Sequence, residues 1–217
     1  MTFKRTLAFV LILVLIPVGY ALYLLPTLPE SIPTHFGVDG KADAYGPKSS
    51  IFLAPAILGI VSLFVFLLLS NIKKIDPKRA ASLEDKMFLE FGFITVAFMS
   101  LLSIVILYST SHEGAPTTKL ILGATGILFL GMGYYMPKIK QNYFAGFKLP
   151  WTLDNEFNWN ATHQLAGKLW TIGGALIILN AILFEAMVLF VIFISIITIM
   201  SVIPIAYSFL LFKKGNK

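Results

Sequence analysis

The chain has 217 residues, of which 57% are hydrophobic and only 13% are charged, and its formal net charge is +6. A soluble domain is nearer half apolar and about one quarter charged, so this composition excludes an ordinary soluble protein. The absence of cysteine excludes disulfides, thiolate metal sites and a cysteine nucleophile. The basic residues lie beside apolar runs, which indicates membrane topology and not direct nucleic-acid binding.

Six apolar segments are long enough to cross a bilayer, which takes about 20 residues of helix. They are Thr6–Leu25, Ile51–Ile72, Met87–Ser109, Leu120–Met136, Gln164–Phe184 and Met187–Phe212. Basic residues precede the first segment, as in a signal peptide. Its apolar run is longer than a typical signal sequence, however, and no small-residue cleavage site follows, so we interpret it as a retained helix. The sequence predicts an all-α integral membrane protein of the cell membrane, a bundle of six transmembrane helices. The last two helices form a tight hairpin around Glu185.

The lysines and arginines predict the orientation of these helices. If both termini are cytoplasmic, 13 of the 17 basic residues lie on the inner side, as the positive-inside rule requires. The four exceptions are Lys41, Lys48, Lys119 and Lys168. The loops Pro26–Ser50 and Thr110–Lys119 then face outward, and the stretch Pro137–His163 faces the cytoplasm.

Metal-capable side chains occur in both outer loops. His35, Asp39 and Asp43 follow one another at four-residue spacing in the first, and His112 and Glu113 lie in the second. Two histidines with a carboxylate would suit zinc, although the chain has no HExxH motif. The alternative is a stiff turn, rich in proline and glycine, in which His35 only makes a local hydrogen bond.

The inner loop Lys73–Lys86 is basic, KKIDPKRAASLEDK. This composition serves the positive-inside rule and is typical of contact with anionic membrane lipids. A role in binding a cytoplasmic repressor is the alternative, although no motif marks it.

The stretch from Asn142 to Trp170 is the densest polar and aromatic segment of the chain and holds all three tryptophans. We expect a fixed scaffold at the membrane surface. Pro150 breaks the preceding structure, and Trp151 is an interfacial anchor. Either Thr152 or Asp154 is expected to cap the following helix.

That helix should place four positions on one face, because they recur every three or four residues. They are Trp159, His163, Ala166 or Gly167, and Trp170. One interpretation is a membrane-interface helix with aromatic anchors. The other is a surface for a partner or ligand, since a polar residue that enters a membrane segment is costly.

Two motifs together resemble a known family. LPESIPTHFGVDGKAD, at Leu28–Asp43, looks like an N-terminal domain of unknown function that often precedes SdpI-type domains. The motif NxxxGxRxPWTLxxxxxWxxTHxxxGxxW, at Asn142–Trp170, is similar to the bacterial SdpI family. Lys148 stands where that family commonly has arginine, which replaces a planar two-pronged cation with a point charge. Ten residues at positions of the second motif are the candidate binding residues, including Lys148 despite its departure: Asn142, Gly146, Lys148, Pro150, Trp151, Thr152, Trp159, Thr162, His163 and Trp170.

The resemblance implies a two-span N-terminal domain at residues 1–86 and a four-span SdpI-like domain at residues 87–217. It also implies a non-catalytic immunity or receptor protein that protects a bacterium from a secreted toxic peptide and holds a transcriptional repressor at the membrane. Two alternatives remain from the residues themselves. One is a membrane-embedded, metal-dependent peptidase that uses the outer histidines and carboxylates. The other is a small-solute transporter, which is disfavoured because no span contains a pair of opposite charges.

Overall fold

The computed structural model describes residues 3–75 and 85–215, and most of the basic inner loop Lys73–Lys86 lies outside these residues. The helices are α1 (Phe3–Leu24), α2 (Leu53–Ser70), α3 (Ile72–Ile75), α4 (Asp85–Ser111), α5 (Thr117–Tyr135), α6 (Pro150–Asp154), α7 (Glu156–Leu183) and α8 (Ala186–Gly215). Two strands, β1 (Ser31–Phe36) and β2 (Ala42–Pro47), lie between α1 and α2. Short 3₁₀ turns occupy Leu25–Thr27, Lys48–Phe52 and Met136–Lys138.

The predicted fold class is confirmed. Within the described residues, six helices are long and apolar enough to cross a membrane: α1, α2, α4, α5, α7 and α8. Many of their large apolar side chains are exposed, among them Ile60 and Ile182, as expected for helices whose outer faces contact lipid. The turn at Glu185 between α7 and α8 is as short as predicted. The orientation of the termini stays a prediction.

The chain divides into two compact units. The first contains α1 to α4, the strands and α5 as far as Ala124, and the second runs from Thr125 to the end. This division by packing differs from the boundary at residue 86 that the motifs suggested, and that boundary stays a prediction about family segments.

Among the described residues of the first unit, buried side chains form two clusters. Val10, Phe66 and Val96, from α1, α2 and α4, are fully buried against one another. The second cluster lies nearer the strands and includes Ile32 and Leu107. A hydroxyl links two helices directly, since Ser100 Oγ donates to the Leu13 carbonyl at 2.7 Å. In hydrocarbon such a bond helps to fix helix packing, because no water competes for the groups.

The loop after α1 forms an antiparallel hairpin where the sequence suggested only a stiff turn. Gly37 N–H donates to the Lys41 carbonyl at 2.8 Å and Lys41 N–H donates to Asp39 Oδ1 at 3.0 Å, which closes the turn. Gly40 adopts φ +80°, a conformation that glycine reaches without strain. The β1–β2 hairpin, residues 31–47, is therefore a defined structural element.

In the second unit, α5 and α7 approach closely through glycines. A Cβ at Gly133 would lie 2.9 Å from the Gly167 carbonyl oxygen, and a Cβ at Gly126 would lie 2.9 Å from that of Gly174. These separations are too short for any side chain, so small residues permit the contact, as is typical of helix pairs in membranes.

Candidate functional site

The residues of the second motif form one hydrogen-bonded assembly in the second unit. We call it the interfacial network: residues 139–163 together with Ser208 of α8. It connects the irregular segment after α5 to α6, α7 and α8. Its central polar side chains are buried beside one another and away from solvent: Asn142, Thr152, Asn158, Thr162, His163 and Ser208.

Asn142 organises the start of the network. Its Oδ1 accepts from the N–H groups of Phe144 and Ala145 at 2.7 and 2.8 Å, and its Nδ2 donates to the Lys140 carbonyl at 2.7 Å. The side chain therefore stabilises the turn by bonding to the backbone on both sides of it, as asparagine often does in loops. Gln141, which sequence reasoning missed, donates to the carbonyls of Thr152 and Leu153 at 2.8 and 3.0 Å.

His163 fastens this segment to α7. The Phe147 N–H donates to His163 Nε2 at 3.0 Å, and His163 Nδ1 lies 2.8 Å from the Trp159 carbonyl, to which it donates. Its ring stacks on the indole of Trp159, with centroids 4.0 Å apart. Gly146 is required beside it, because it adopts φ +114° and any Cβ there would overlap His163 Nε2.

Trp159 is fully buried and anchors the network from α7. Its Nε1 donates to the Ile139 carbonyl at 2.7 Å, so a buried donor and a buried acceptor satisfy each other. Ala166 and Gly167 are also buried and Trp170 partly so, which confirms the predicted face of the helix. Trp170 packs edge-on against Phe129 at 5.1 Å.

The predicted caps of α7 were wrong. Asn155 caps the helix, since its Oδ1 accepts from Asn158 N–H at 2.9 Å. Thr152 is buried in the preceding short helix, where its Oγ1 accepts from Leu149 N–H at 2.9 Å and donates to the Phe147 carbonyl at 2.6 Å. Asp154 ends α6. Thr152 cannot cap α7, because its hydroxyl already stabilises the turn before Pro150.

Ser208 of α8 joins the network from the other side and was not predicted. Its Oγ accepts from Trp151 Nε1 at 2.9 Å, and its carbonyl accepts from Asn158 Nδ2 at 2.9 Å. Asn158 in turn accepts from the buried Thr162 hydroxyl at 3.1 Å. The candidate Trp151 thereby links α6 to α8. Asn158, which the motif did not single out, links α7 to α8, and the candidate Thr162 bonds to it within α7.

Lys148 is exposed, and it is the candidate with a charged side chain. Its Nζ lies 3.4 Å from the Phe144 carbonyl, a weak contact at the edge of the network. The aromatic ring of Phe157 is exposed nearby in sequence. A cation and an aromatic ring of this kind suit a membrane–water interface.

The structure does not bring the five predicted metal ligands together. His35 Nδ1 lies 2.6 Å from Asp43 Oδ1 across the hairpin, whereas Asp39 closes the turn and His112 stacks on Tyr108 with centroids 4.2 Å apart. Within the described ranges, no group of three or more histidine and acidic side chains is placed to hold a metal ion. The zinc site with His35, Asp39, Asp43, His112 and Glu113 is an untested prediction that this geometry does not assemble.

Comparison with known proteins places both motifs in described families. Residues 138–208 match the model of the SdpI/YfhL protein family, and this range contains the whole interfacial network. The chain carries an SdpI/YfhL family segment. Residues 12–59 match a domain of unknown function, DUF1648, which includes the β1–β2 hairpin. The resemblance stated from the two motifs is therefore confirmed.

Two curated proteins are similar to this chain. It is 27% identical over 151 residues to the Immunity protein SdpI of Bacillus subtilis (strain 168), which is 69% of each chain. It is 33% identical over 49 residues to an uncharacterized protein of Archaeoglobus fulgidus, which is 23% of this chain and 27% of that protein. No solved structure matches. With six apolar helices, these similarities establish a multi-pass protein of the cell membrane.

Proposed function

We propose that this chain is a membrane immunity protein that protects a bacterium from a secreted, membrane-active toxic peptide. The observation that supports this best is the similarity to the Immunity protein SdpI, which runs over 69% of both chains. It includes too much of the chain to reflect one shared motif.

The geometry of the interfacial network supports a binding or scaffolding role over catalysis. The polar atoms of Asn142, Thr152, Asn158 and His163 bond to neighbouring groups of the same chain. A general base needs a nitrogen or oxygen directed at a substrate, whereas both ring nitrogens of His163 are already engaged. The network holds α6, α7 and α8 in one arrangement.

The β1–β2 hairpin is the surface that we propose meets the peptide. Its polar and aromatic side chains point away from the core, and His35, Asp43 and Tyr45 are all more than half exposed. The buried Ile32 holds β1 against the helices. An anchored strand pair with exposed side chains suits recognition of another chain.

We propose that both termini and Trp151 are cytoplasmic, which places the hairpin outside the cell. The basic-residue bias supports this. Because the natural chain lacks cysteine, a single cysteine at the exposed position Val38 or Lys148 would be the only site of labelling. Its accessibility therefore shows on which side of the membrane that position lies. A membrane-impermeant maleimide should label Val38→Cys in intact cells and Lys148→Cys only after lysis. Labelling of Lys148→Cys in intact cells overturns the orientation.

Signalling through a cytoplasmic repressor is the finer part of the proposal, and the family resemblance supports it. In this scheme, binding of the toxin to the outer side of the protein causes the cytoplasmic side to bind a repressor and hold it at the membrane. Co-purification of a DNA-binding protein only from toxin-treated cells is the expected result. If no DNA-binding protein co-purifies, the signalling proposal is wrong and the immunity proposal is unaffected.

The main experiment measures survival. Expression of the chain in a sensitive bacterium should raise tolerance to at least one member of a panel of membrane-active peptides. Tyr45→Ala should lower that tolerance, and Phe157→Ala, which removes an equally exposed aromatic ring outside the hairpin, should not. Unchanged survival against the whole panel would count decisively against immunity.

The peptidase alternative is not proposed. The comparisons give it no support, and the outer histidines each have a local partner: Asp43 for His35, and Tyr108 for His112.

A further inference from the structure

A pocket of about 210 Å³ lies at one end of the first unit, where three helices meet. Phe3 comes from the first turn of α1, Leu69 from the end of α2, and Phe88 and Leu89 from the first turns of α4. These three helices are candidate membrane spans. Because each contributes the residues at its end, the pocket lies at the level of the membrane–water boundary.

The break between α2 and α3 brings basic residues to this pocket. Asn71 Nδ2 donates to the Leu67 carbonyl at 2.9 Å, so the side chain competes with the backbone and ends α2. The Asn71 carbonyl then accepts from Lys74 N–H at 2.9 Å, which starts the single turn of α3. Ile72 is buried and fixes that turn. Both Lys73 and Lys74 consequently line the pocket.

The pocket is lined by both apolar and cationic side chains. Phe3, Leu69, Ile72, Phe88 and Leu89 make one part apolar, and two lysines make the rim cationic. The volume is below the roughly 300–1,000 Å³ of pockets that enclose a whole small molecule. A ligand with a compact anionic group and an attached apolar chain that stays in the bilayer satisfies both features.

We propose that this pocket binds the headgroup of an anionic phospholipid. The phosphate lies against Lys73 and Lys74, and the glycerol and upper acyl carbons contact the apolar residues. Basic pockets between transmembrane helices recognise such headgroups, since phosphate and lysine attract each other strongly near a low-dielectric boundary. The bound lipid joins α1, α2 and α4 at their shared end, independently of any toxin.

Lipid is favoured over a soluble phosphate compound because of the apolar share of the lining. A free phosphate gains nothing from Phe88 or Leu89, whereas an acyl chain gains free energy as its apolar surface leaves water. The position at the ends of three spans also gives a bilayer lipid direct access.

The test uses the full chain in neutral detergent, with thermal melting followed as short-chain lipids are added. Dihexanoyl phosphatidylglycerol should raise the melting temperature. The affinities of dihexanoyl phosphatidylcholine and inorganic phosphate, obtained from the same titrations, should be at least tenfold weaker. The double variant K73Q/K74Q should weaken the phosphatidylglycerol affinity about 30-fold, because each lysine beside an anionic headgroup contributes roughly a factor of five.

The matched control is K213Q/K214Q, which removes the same charge at the end of α8 outside the pocket. Its affinity should stay within twofold of the original. Leu89→Trp fills the pocket without changing charge and should weaken binding at least tenfold, and if it fails to fold the lysine pairs still decide. Equal losses in both lysine pairs, no loss in K73Q/K74Q, or binding of inorganic phosphate as tight as that of the lipid would each overturn the proposal.

Discussion

The β1–β2 hairpin and the interfacial network both carry family motifs, yet they use their residues in opposite ways. In the hairpin, His35 and Tyr45 are 69% and 64% exposed. In the network, Trp159, Thr152 and His163 are almost entirely buried and bonded within the chain. The hairpin displays its side chains, and the network uses them to hold helices together. A family motif can therefore consist of exposed side chains or of buried side chains that hold helices together, and the geometry distinguishes the two cases.

The two regions also differ in how they are attached. A few contacts fasten the hairpin: the buried Ile32, the Thr118 hydroxyl donating to the Val38 carbonyl at 2.9 Å, and the weaker contact of Thr110 with Pro33 at 3.4 Å. Many more hydrogen bonds hold the network, among them those of Gln141, Asn142, Thr152, Asn158, Trp159 and His163. Substitutions in the network should therefore cost more stability than equivalent substitutions in the hairpin.

The largest effect is expected from Gly146→Ala. The new methyl group would overlap His163 Nε2, break its bond with Phe147 and force a left-handed backbone on alanine, at a combined cost of at least about 4 kcal/mol. Melting in detergent measures it. The control Gly114→Ala has a similar positive φ of 77° with open space around it, so it should cost only about 1–2 kcal/mol. Equal losses in the two variants would show that the overlap with His163 is unimportant.

Ile32→Ala tests the attachment of the hairpin. The side chain is 1% exposed and its removal leaves a cavity, which typically costs about 2–4 kcal/mol. We expect faster proteolysis of the hairpin and a lower melting temperature. Val38→Ala shortens an exposed aliphatic side chain in the same hairpin and should leave both unchanged. Unaltered proteolysis in Ile32→Ala would mean that other contacts hold the hairpin.

Trp159→Phe isolates one bond of the network. It removes the Nε1 donor and leaves the Ile139 carbonyl buried without its partner, which should cost about 1–3 kcal/mol in chemical or thermal unfolding. Trp151→Phe removes a bond to Ser208 that is only partly buried, and about 1 kcal/mol is expected there. A larger loss for Trp151→Phe would reverse the assigned importance of the two tryptophans.

Thr118→Val should have the smallest effect. It removes one hydroxyl that donates to the Val38 carbonyl, a bond worth about 1 kcal/mol. Hydrogen exchange should speed up in the hairpin and stay unchanged in the network. Thr198→Val, whose hydroxyl bonds only within its own helix at 2.8 Å, provides the matched control. Identical exchange in the two variants would show that Thr118 does not fasten the hairpin.

The helices could be predicted from the sequence because apolar length alone decides whether a segment spans a membrane. The segment predicted at Met87–Ser109 is α4, Asp85–Ser111, within two residues at each end. The hairpin could not be predicted from the sequence, because β1 has only six residues and contains Pro33, which weakens any strand prediction. The bonds of Thr110 and Thr118 that attach the hairpin to the helices are long-range contacts, which no local pattern reveals.

The interfacial network was predictable only along its helix. The spacing of Trp159, His163 and Trp170 placed them on one face, because helix geometry fixes that relation. The partner of the network on α8, Ser208, could not be predicted. Four hydroxyl residues occur in that apolar run with nothing to distinguish them: Ser195, Thr198, Ser201 and Ser208. Only the fold shows that Ser208 meets Trp151 and Asn158.

The two bonds of His163 have a consequence for the chemical form of its ring. Nε2 accepts from the Phe147 amide, so it carries no hydrogen, and Nδ1 must hold the proton that is donated to Trp159. Of the two neutral tautomers, the fold thus admits only the one protonated at Nδ1, which is the rarer form of a neutral histidine side chain in water. The ¹⁵N chemical shifts of this single ring would distinguish the assembled network from any state in which residues 139–147 have separated from α7.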